Sequence, residues 1–233
     1  MNAPLETAAS KSVTDAIRTR RSVREFLPDP IPEALVREIV AEATRAASGG
    51  NLQPWLLHVL AGDARAALVD RVAEKMKTTP FGDGPEYDIY PKDLTRPYTT
   101  RRGAVAGGMY ELLGIARDDG PARAKQMARN FDFFGAPVGM ILSIDRQMGP
   151  PQFADLGLFL GNLMLLARER GLHTCPQEAW SMWGRTIREV TGIGDDVLVF
   201  CGLALGYADA DAPVNRLVTE RAPLEDFAHF SGW

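Results

Sequence analysis

Three arginines and a hydroxyl stand within five consecutive residues, Arg20-Arg21-Ser22-Val23-Arg24. Guanidinium groups and a serine at this spacing can surround a phosphate with charge-assisted hydrogen bonds. A solvated basic turn is the alternative reading. A second group is Ser48-Gly49-Gly50-Asn51-Leu52-Gln53-Pro54-Trp55. Its glycine pair lets backbone come close to a flat ligand, Asn51 and Gln53 offer donors and acceptors, and Trp55 offers a stacking face. The alternative is a plain helix-to-strand connection with Trp55 in the core. A third group, Thr174-Cys175-Pro176-Gln177-Glu178-Ala179-Trp180, presents backbone N–H groups and a rigid apolar proline where a chain leaves a strand. An ordinary turn with a buried cysteine explains it as well. The fourth is the tail segment from Pro213 to Leu224, with Arg216 and Arg221. It could return to an anion or wrap a partner, or it could be a solvated terminus.

No Ser-His-Asp set and no pair of carboxylates emerges from the spacing. Cys175 has no neighbouring His or Lys in sequence to stabilise a thiolate. His173, beside an apolar stretch, reads as a satisfied structural histidine, His58 as core and His229 as solvated. Two cysteines and three histidines without ligand spacing argue against a metal site. Arginines, amides, backbone and aromatics without an acid–base pair suit an enzyme whose cofactor carries the chemistry.

The elements that must position these groups follow from periodicity. A short helix is expected over 12–19 and an amphipathic one over 33–47, with Leu35, Val36, Ile39, Val40 and Ala43 on one face. A buried strand over 55–60 precedes a helix over 64–77 that Asp63 can cap. Residues 78–100 hold four prolines, two glycines and three tyrosines, the composition of a long binding loop or lid. Helices are expected over 101–117 and 121–130, and a strand over 137–144. Residues 153–170 form a helix that is apolar nearly all round, so it should be buried on several sides or meet another subunit. A strand over 171–175, a helix over 184–191 and a strand over 197–205 complete the pattern, and a polar tail follows. Helices and strands mix without regular alternation, which favours an α+β layer fold. Neither G-x-G-x-x-G after a strand nor G-x-x-x-x-G-K-[ST] occurs, so Rossmann and P-loop sites are unsupported.

Composition bounds the answer. The chain has 233 residues, 45% hydrophobic and 24% charged, so disorder and disulfide scaffolds are excluded for the whole chain. Lys plus Arg number 26 and Asp plus Glu 30, a formal charge of −4 that argues against nonspecific nucleic-acid binding. Of the basic residues, 21 are arginine and five lysine, which reflects either codon bias or a few arginines used for two-point anion recognition. No apolar run reaches the roughly 20 residues needed to span a bilayer. With no signal-peptide core at the start, a cytoplasmic protein with reduced thiols is expected.

Taken in order, six pieces resemble the FMN-dependent nitroreductase family. They are RRSVREF at 20–26, NLQPW at 51–55, FFGAPV at 133–138, DLGLFLGNLMLLARERGLHTCPQ at 155–177, GLALGY at 202–207 and TERAPL at 219–224. The resemblance runs from about Ile17 to Leu224. It implies one domain over residues 1–233, an α+β nitroreductase-like fold with a mixed central sheet flanked by helices, and an intertwined homodimer with FMN at the interface. It implies that 78–100 is a lid insertion and 208–233 a partner-wrapping tail.

By the same resemblance Arg20, Arg21, Ser22 and Arg221 match positions that bind the ribityl phosphate. Arg24 matches a position near flavin N1 and O2, where a fixed cation stabilises the charge of reduced flavin. Ala47, Ser48, Gly49 and Asn51 match a loop supplied by the partner subunit. Pro176, Gln177, Glu178 and Ala179 match the segment on one flavin face, with backbone N–H around Glu178 reaching N5, and Asn130 falls near the ring edge. The chain departs from the family at Val218, where many relatives carry another basic residue. Arg216 is the candidate replacement.

The implied activity is NAD(P)H-dependent reduction of a small nitroaromatic or quinone-like acceptor by a ping-pong cycle. Chemistry takes place on the flavin, and no side chain is assigned as catalytic. Tyr87, Tyr90, Tyr98 and Phe131 are candidates for the pocket wall, with core packing an equal alternative for Phe131. Other readings are a flavin-fragmenting or reductive-dehalogenase relative, a flavin-binding protein without turnover, and a non-flavin α+β interaction protein.

Overall fold

The computed structural model describes residues 2–233. Four strands form one sheet: β1 (Leu56–Ala61), β2 (Val138–Asp145), β3 (His173–Gln177) and β4 (Val197–Gly206), in the order β1-β2-β4-β3. All three pairings are antiparallel. The expected mixed sheet is corrected accordingly: the parallel component is a single bridge between Ser22 and Thr174. The alternation of strand side chains puts a separate apolar cluster on each face. Ile141, Ala204, Leu60, Phe133, Trp180 and Trp183 belong to one; Met140, Leu142, Leu203, Leu205, Phe159 and Leu163 belong to the other.

The alternation breaks once. In the β2–β4 register Leu142 faces Cys201 and Ser143 faces Val199, so Phe200 is an extra residue without a partner on β2. Such a bulge re-aims the chain beyond it. Val199 joins the first cluster although Cys201 and Leu203 belong to the second.

Among the described residues seven α-helices cover the sheet and its ends: α1 (Val13–Thr19), α2 (Glu33–Ala43), α3 (Gly62–Met76), α4 (Tyr98–Leu112), α5 (Gly120–Ala128), α6 (Pro150–Glu169) and α7 (Gly184–Thr191). Local chemistry sets their ends. Ser12 accepts the Asp15 N–H at 3.1 Å and so caps α1. α6 starts on two prolines, where their missing N–H groups cost nothing. α7 stops at Gly192, which adopts φ 75°.

α2 ends four residues short of the expected Ala47. The N–H groups of Thr44, Arg45 and Ala46 turn to carbonyls three residues back and tighten the chain before Gly49. Asp63, expected to cap α3, instead lies inside its first turn and makes no capping bond. α4 spans 98–112 rather than 101–117, ending before Gly114 at φ 65°.

After α5 a 3-10 segment, Arg129–Gly135, carries Phe133 and Phe134 at φ 55°. That strained backbone is held by packing. The Phe133 ring stacks on Trp180 at 4.5 Å. The pair lies against the sheet over Gly139 and Gly202, where a Cβ would collide with one ring or the other. No helix among the described residues is long and apolar enough to cross a membrane.

Candidate functional site

The segment after α1 is extended and lies against β3. The Val23 N–H donates to the Thr174 carbonyl at 3.1 Å, Phe26 N–H to Phe134 at 3.2 Å, and Leu27 N–H to Tyr207 at 2.8 Å. Val23 and Phe26 are buried and anchor the stretch. The arginines between them have unequal surroundings. Arg20 is half-buried beside Cys175, and burial first, then the charge of Arg221, lowers its pKa. Arg24 reaches only the Ser22 carbonyl, at 3.2 Å. Arg221 uses a single nitrogen, on Thr219 and the Glu220 carbonyl. None of these three guanidinium groups meets a carboxylate among the described residues. Arg21 differs: its guanidinium donates to the Ala3 carbonyl at 2.9 Å and ties down the N-terminal arm. Arg216 is exposed and reaches the Asp211 carbonyl at 3.4 Å.

Other arginines are matched to acids. Arg129 forks onto Glu25 at 2.7 and 3.1 Å and also holds Asp132. Arg170 meets Glu38, Glu42 and Glu169. Arg188 and Arg146 converge on Glu86. Cations brought near one another without acids repel, and a bound anion would relieve that repulsion.

The end of β3 adjoins this cluster. Gln177 is buried, and its Nε2 donates to the Asn130 carbonyl at 2.7 Å, joining strand to 3-10 segment. Its Oε1 and the Thr174 hydroxyl are buried without hydrogen-bond partners among the described residues. Unsatisfied acceptors and hydroxyls beside free cations suit a polar ligand. Burial raises the Cys175 thiol to about 11, an effect that Arg24 and Arg20 oppose, so the thiol stays protonated. Pro176 is half-buried. Glu178 begins the 3-10 turn Glu178–Trp183, which also holds Ala179, and burial raises its carboxyl pKa. Phe131 sets its ring edge-on to Trp180 at 5.5 Å and Trp183 at 5.8 Å.

The loop from Ala47 to Asn51 is elsewhere in the chain's own contacts. The Gly49 N–H points at both carboxylate oxygens of the buried Asp155 on α6, each at 3.3 Å. The Ser48 hydroxyl accepts the Gln53 N–H at 3.1 Å. Gly50, Asn51 and Gln53 all adopt positive φ, so the loop is wound into an uncommon shape. No hydrogen bond among the described residues joins it to Arg20–Arg24, Asn130 or 176–179. Trp55 stacks on Phe159 at 5.1 Å in the core.

The tyrosines also separate. Tyr87 packs on Phe153 and Phe200, and its hydroxyl donates to the Phe200 carbonyl at 2.6 Å. Burial first, then the charge of Glu178, raises its pKa, so the phenol stays neutral. Tyr90 lies under the Arg102 guanidinium at 4.0 Å, and Tyr98 opens α4 largely exposed.

The first part of 78–100 is clamped. The Asp83 carboxylate accepts the Thr186 N–H and hydroxyl at 2.7 and 2.8 Å and so caps α7 from outside the helix. Burial opposes its charge, but those bonds and the cations Lys75 and Arg185 outweigh it and lower the pKa.

His173 is buried as expected, its Nε2–H donating to the Glu6 carbonyl at 2.9 Å. His58 is half-buried and His229 exposed. Two residues that matter here went unmarked in the sequence reading, Asp155 and Asn215. Asp155 had one signal, a carboxylate inside an otherwise apolar helix. Asn215 had none.

Comparison with known proteins adds to this geometry. The family model described as the nitroreductase family matches residues 17–207. A nitrobenzene nitroreductase of Ectopseudomonas oleovorans is 38% identical over 221 residues, 95% of this chain and 97% of that protein. A 4-nitrobenzoate reductase of Pseudomonas putida is 40% identical, over 93% of this chain and 94% of that protein. Among solved structures, the FMN- and NADPH-dependent nitroreductase NfnB of Sphigopyxis sp. strain HMH superposes with a TM-score of 0.93 at 47% identity. The match covers 95% of this chain and 100% of that one. The FMN-dependent NfnB of Mycobacterium smegmatis, solved with NADPH, gives 0.88 at 30% identity, over 93% of this chain and 96% of that one.

Proposed function

The chain belongs to the nitroreductase family, and from that premise we propose that it is an FMN-dependent oxidoreductase that uses NAD(P)H to reduce nitroaromatic acceptors. The observation that carries this reading is the group of three guanidiniums, Arg20, Arg24 and Arg221, left without acids beside the amide-bearing end of β3. The ribityl phosphate of FMN supplies the anion that this group lacks. Relatives named for nitrobenzene, chloronitrobenzene and 4-nitrobenzoate support the acceptor class. Two solved relatives that work with or contain NADPH support the donor.

The residues divide the work. Arg20, Ser22 and Arg221 hold the phosphate, and Arg21 fixes the arm behind them. Arg24 stands where negative charge accumulates on the reduced ring. Pro176, Gln177, Glu178 and Ala179 cover one ring face, and Asn130, held by Gln177, borders its edge. Bound there, FMN would supply the hydride-transfer chemistry, with one flat site serving nicotinamide and acceptor in turn.

We further propose a homodimer of single-domain protomers in which Ala47, Ser48, Gly49 and Asn51 complete the partner's site. The tail 208–233 wraps that partner, and residues Tyr90 to Tyr98 close over the acceptor. Exposed Leu224, Phe227, Phe230 and Trp233 support the wrapping tail. Two free, buried cysteines suit a cytoplasmic protein.

One absorbance spectrum tests the reading. Purified protein is expected to be yellow or to become so with FMN, and NADPH is expected to bleach it until nitrobenzene restores the colour. Protein that stays colourless after reconstitution overturns the flavin assignment.

A further inference from the structure

Asn215 is 2% exposed, and its carboxamide makes three hydrogen bonds of 2.8 Å. The Oδ1 accepts the backbone N–H of Arg24. The Nδ2 donates to the carbonyls of Glu25 and Asp209. Arg24 and Glu25 belong to the cation segment, which is not a strand; isolated bridges at Ser22 and Phe26 and the Asp209 N–H bond to the Glu25 carbonyl flank them, and the Arg24 N–H itself goes to Asn215. Asn215 sits in the 3-10 turn Pro213–Arg216, at the root of the tail that brings Arg221 back. One neutral side chain therefore staples together two segments whose guanidiniums repel. That repulsion is visible at Arg20, whose charge is disfavoured by burial and by Arg221. From the other side, the Arg129 fork on Glu25 neutralises itself and adds no free charge.

We propose that Asn215 is a positioning residue that holds the Arg20–Arg24 segment and the Arg221 tail at the separation a phosphate monoester requires. This rests on the flavin reading above. The physical reason is pre-organisation: repelling cations that are already held apart at the right distance bind a dianion without first ordering a loop. A carboxamide does this where a lysine or an acid would not, because it supplies one acceptor and two donors without changing the site's charge.

The test uses the full-length apoprotein of wild type, Asn215→Ala and Asn215→Ser, each titrated with FMN and with riboflavin, which has the same ring and no phosphate. Loss of the staple is expected to weaken FMN about tenfold while riboflavin affinity stays near its wild-type value. A purely scaffolding role would weaken both ligands by one factor, and that result overturns the proposal. The serine variant, smaller and neutral, gives the same ratio if the alanine variant fails to fold. Amide exchange of the wild-type apoprotein needs no variant. The Arg24 N–H is expected to be protected alongside that of Val23, and exchange at the rate of an open segment overturns the staple. If wild type binds neither flavin, the functional reading fails on its own, and the exchange result still decides whether Asn215 holds the segment.

Discussion

The Tyr87 hydroxyl donates to the Phe200 carbonyl at 2.6 Å, and Phe200 is the residue that the β2–β4 register skips. The preceding residue, Val199, gives its N–H to the Glu86 carboxylate at 2.6 Å. Two consecutive residues of the excursion thus occupy backbone groups at a bulge. Glu86 is in turn held by Arg146 and Arg188, and Asp83 by the start of α7. The segment expected as a lid is therefore tied to the sheet and to α7 through Asp83, Glu86 and Tyr87, although Phe81 between α3 and Asp83 stays exposed.

Tyr87→Phe removes one hydroxyl and leaves the Phe200 carbonyl unpaired. It is expected to lower stability by about 1 kcal/mol, the net worth of one hydrogen bond. The aromatic packing on Phe153 and Phe200 remains. Thermal unfolding measures the loss, and amide exchange over 83–95 is expected to quicken while FMN affinity holds. Unchanged exchange there would mean that Glu86 and Asp83 clamp the segment without help from Tyr87.

His173 makes stability pH-dependent in a defined window. Burial first, then the charge of Arg168, lowers its folded pKa to about 4. Its Nε2–H is used by Glu6, and its Nδ1 has no partner among the described residues. The unfolded chain takes up this proton near pH 6.5, so between 6.5 and 4 the unfolded state binds more protons and stability falls as pH falls. The loss saturates near pH 4 at about 3 kcal/mol or less. Denaturant unfolding at several pH values is expected to show a steeper acid loss in wild type than in His173→Gln. Parallel curves would remove the assignment.

Arginine substitutions should separate binding from folding. Arg20→Ala and Arg221→Ala are each expected to weaken FMN about tenfold or more, since each deletes a charge-assisted contact. Apoprotein stability should hold or rise, because the Arg20 charge is disfavoured in the folded chain. Arg129→Ala should do the opposite. It strips Glu25 and Asp132 of their partner and costs about 1 kcal/mol, discounted for the partial exposure of those pairs. Flavin titration and apoprotein melting, run side by side, check the contrast. Equal effects on both properties in all three variants would dissolve the distinction between paired and unpaired arginines.

The 21 arginines show what a sequence can and cannot disclose. Their spacing marked Arg20, Arg21 and Arg24 as a group, but which of them lacked an acid depended on partners far along the chain. Arg21 turned out to hold Ala3, and Arg129 to hold Glu25. Elements with local signals were legible: α7 spans 184–191 as expected because a glycine stands at its start and Gly192 ends it. The bulge was hidden, since an extra Phe200 inside an unbroken apolar run leaves no mark in composition. Asn215 was hidden because all its value lies in bonds to Arg24, Glu25 and Asp209. The loop 47–51 was legible as a glycine turn, but its seat on Asp155 was not.

That seat supports a test of whether one protomer completes the other's site. Asp155→Ala frees the Gly49 N–H and leaves Gly50 and Asn51 without the contact that fixes their left-handed backbone. Arg20→Ala breaks the cradle but leaves the loop intact. Each variant alone is expected to bind FMN poorly. If the loop serves the partner's cradle, a mixed dimer joins the sound cradle of the Asp155→Ala protomer to the sound loop of the Arg20→Ala protomer, and one of its two sites is whole. If the loop served its own cradle, both sites of the mixed dimer would stay broken. Co-expressing the two variants under different affinity tags, isolating the mixed dimer and counting bound flavin decides it. Flavin recovered toward one per dimer is the expected result, and no recovery would place the loop with its own protomer.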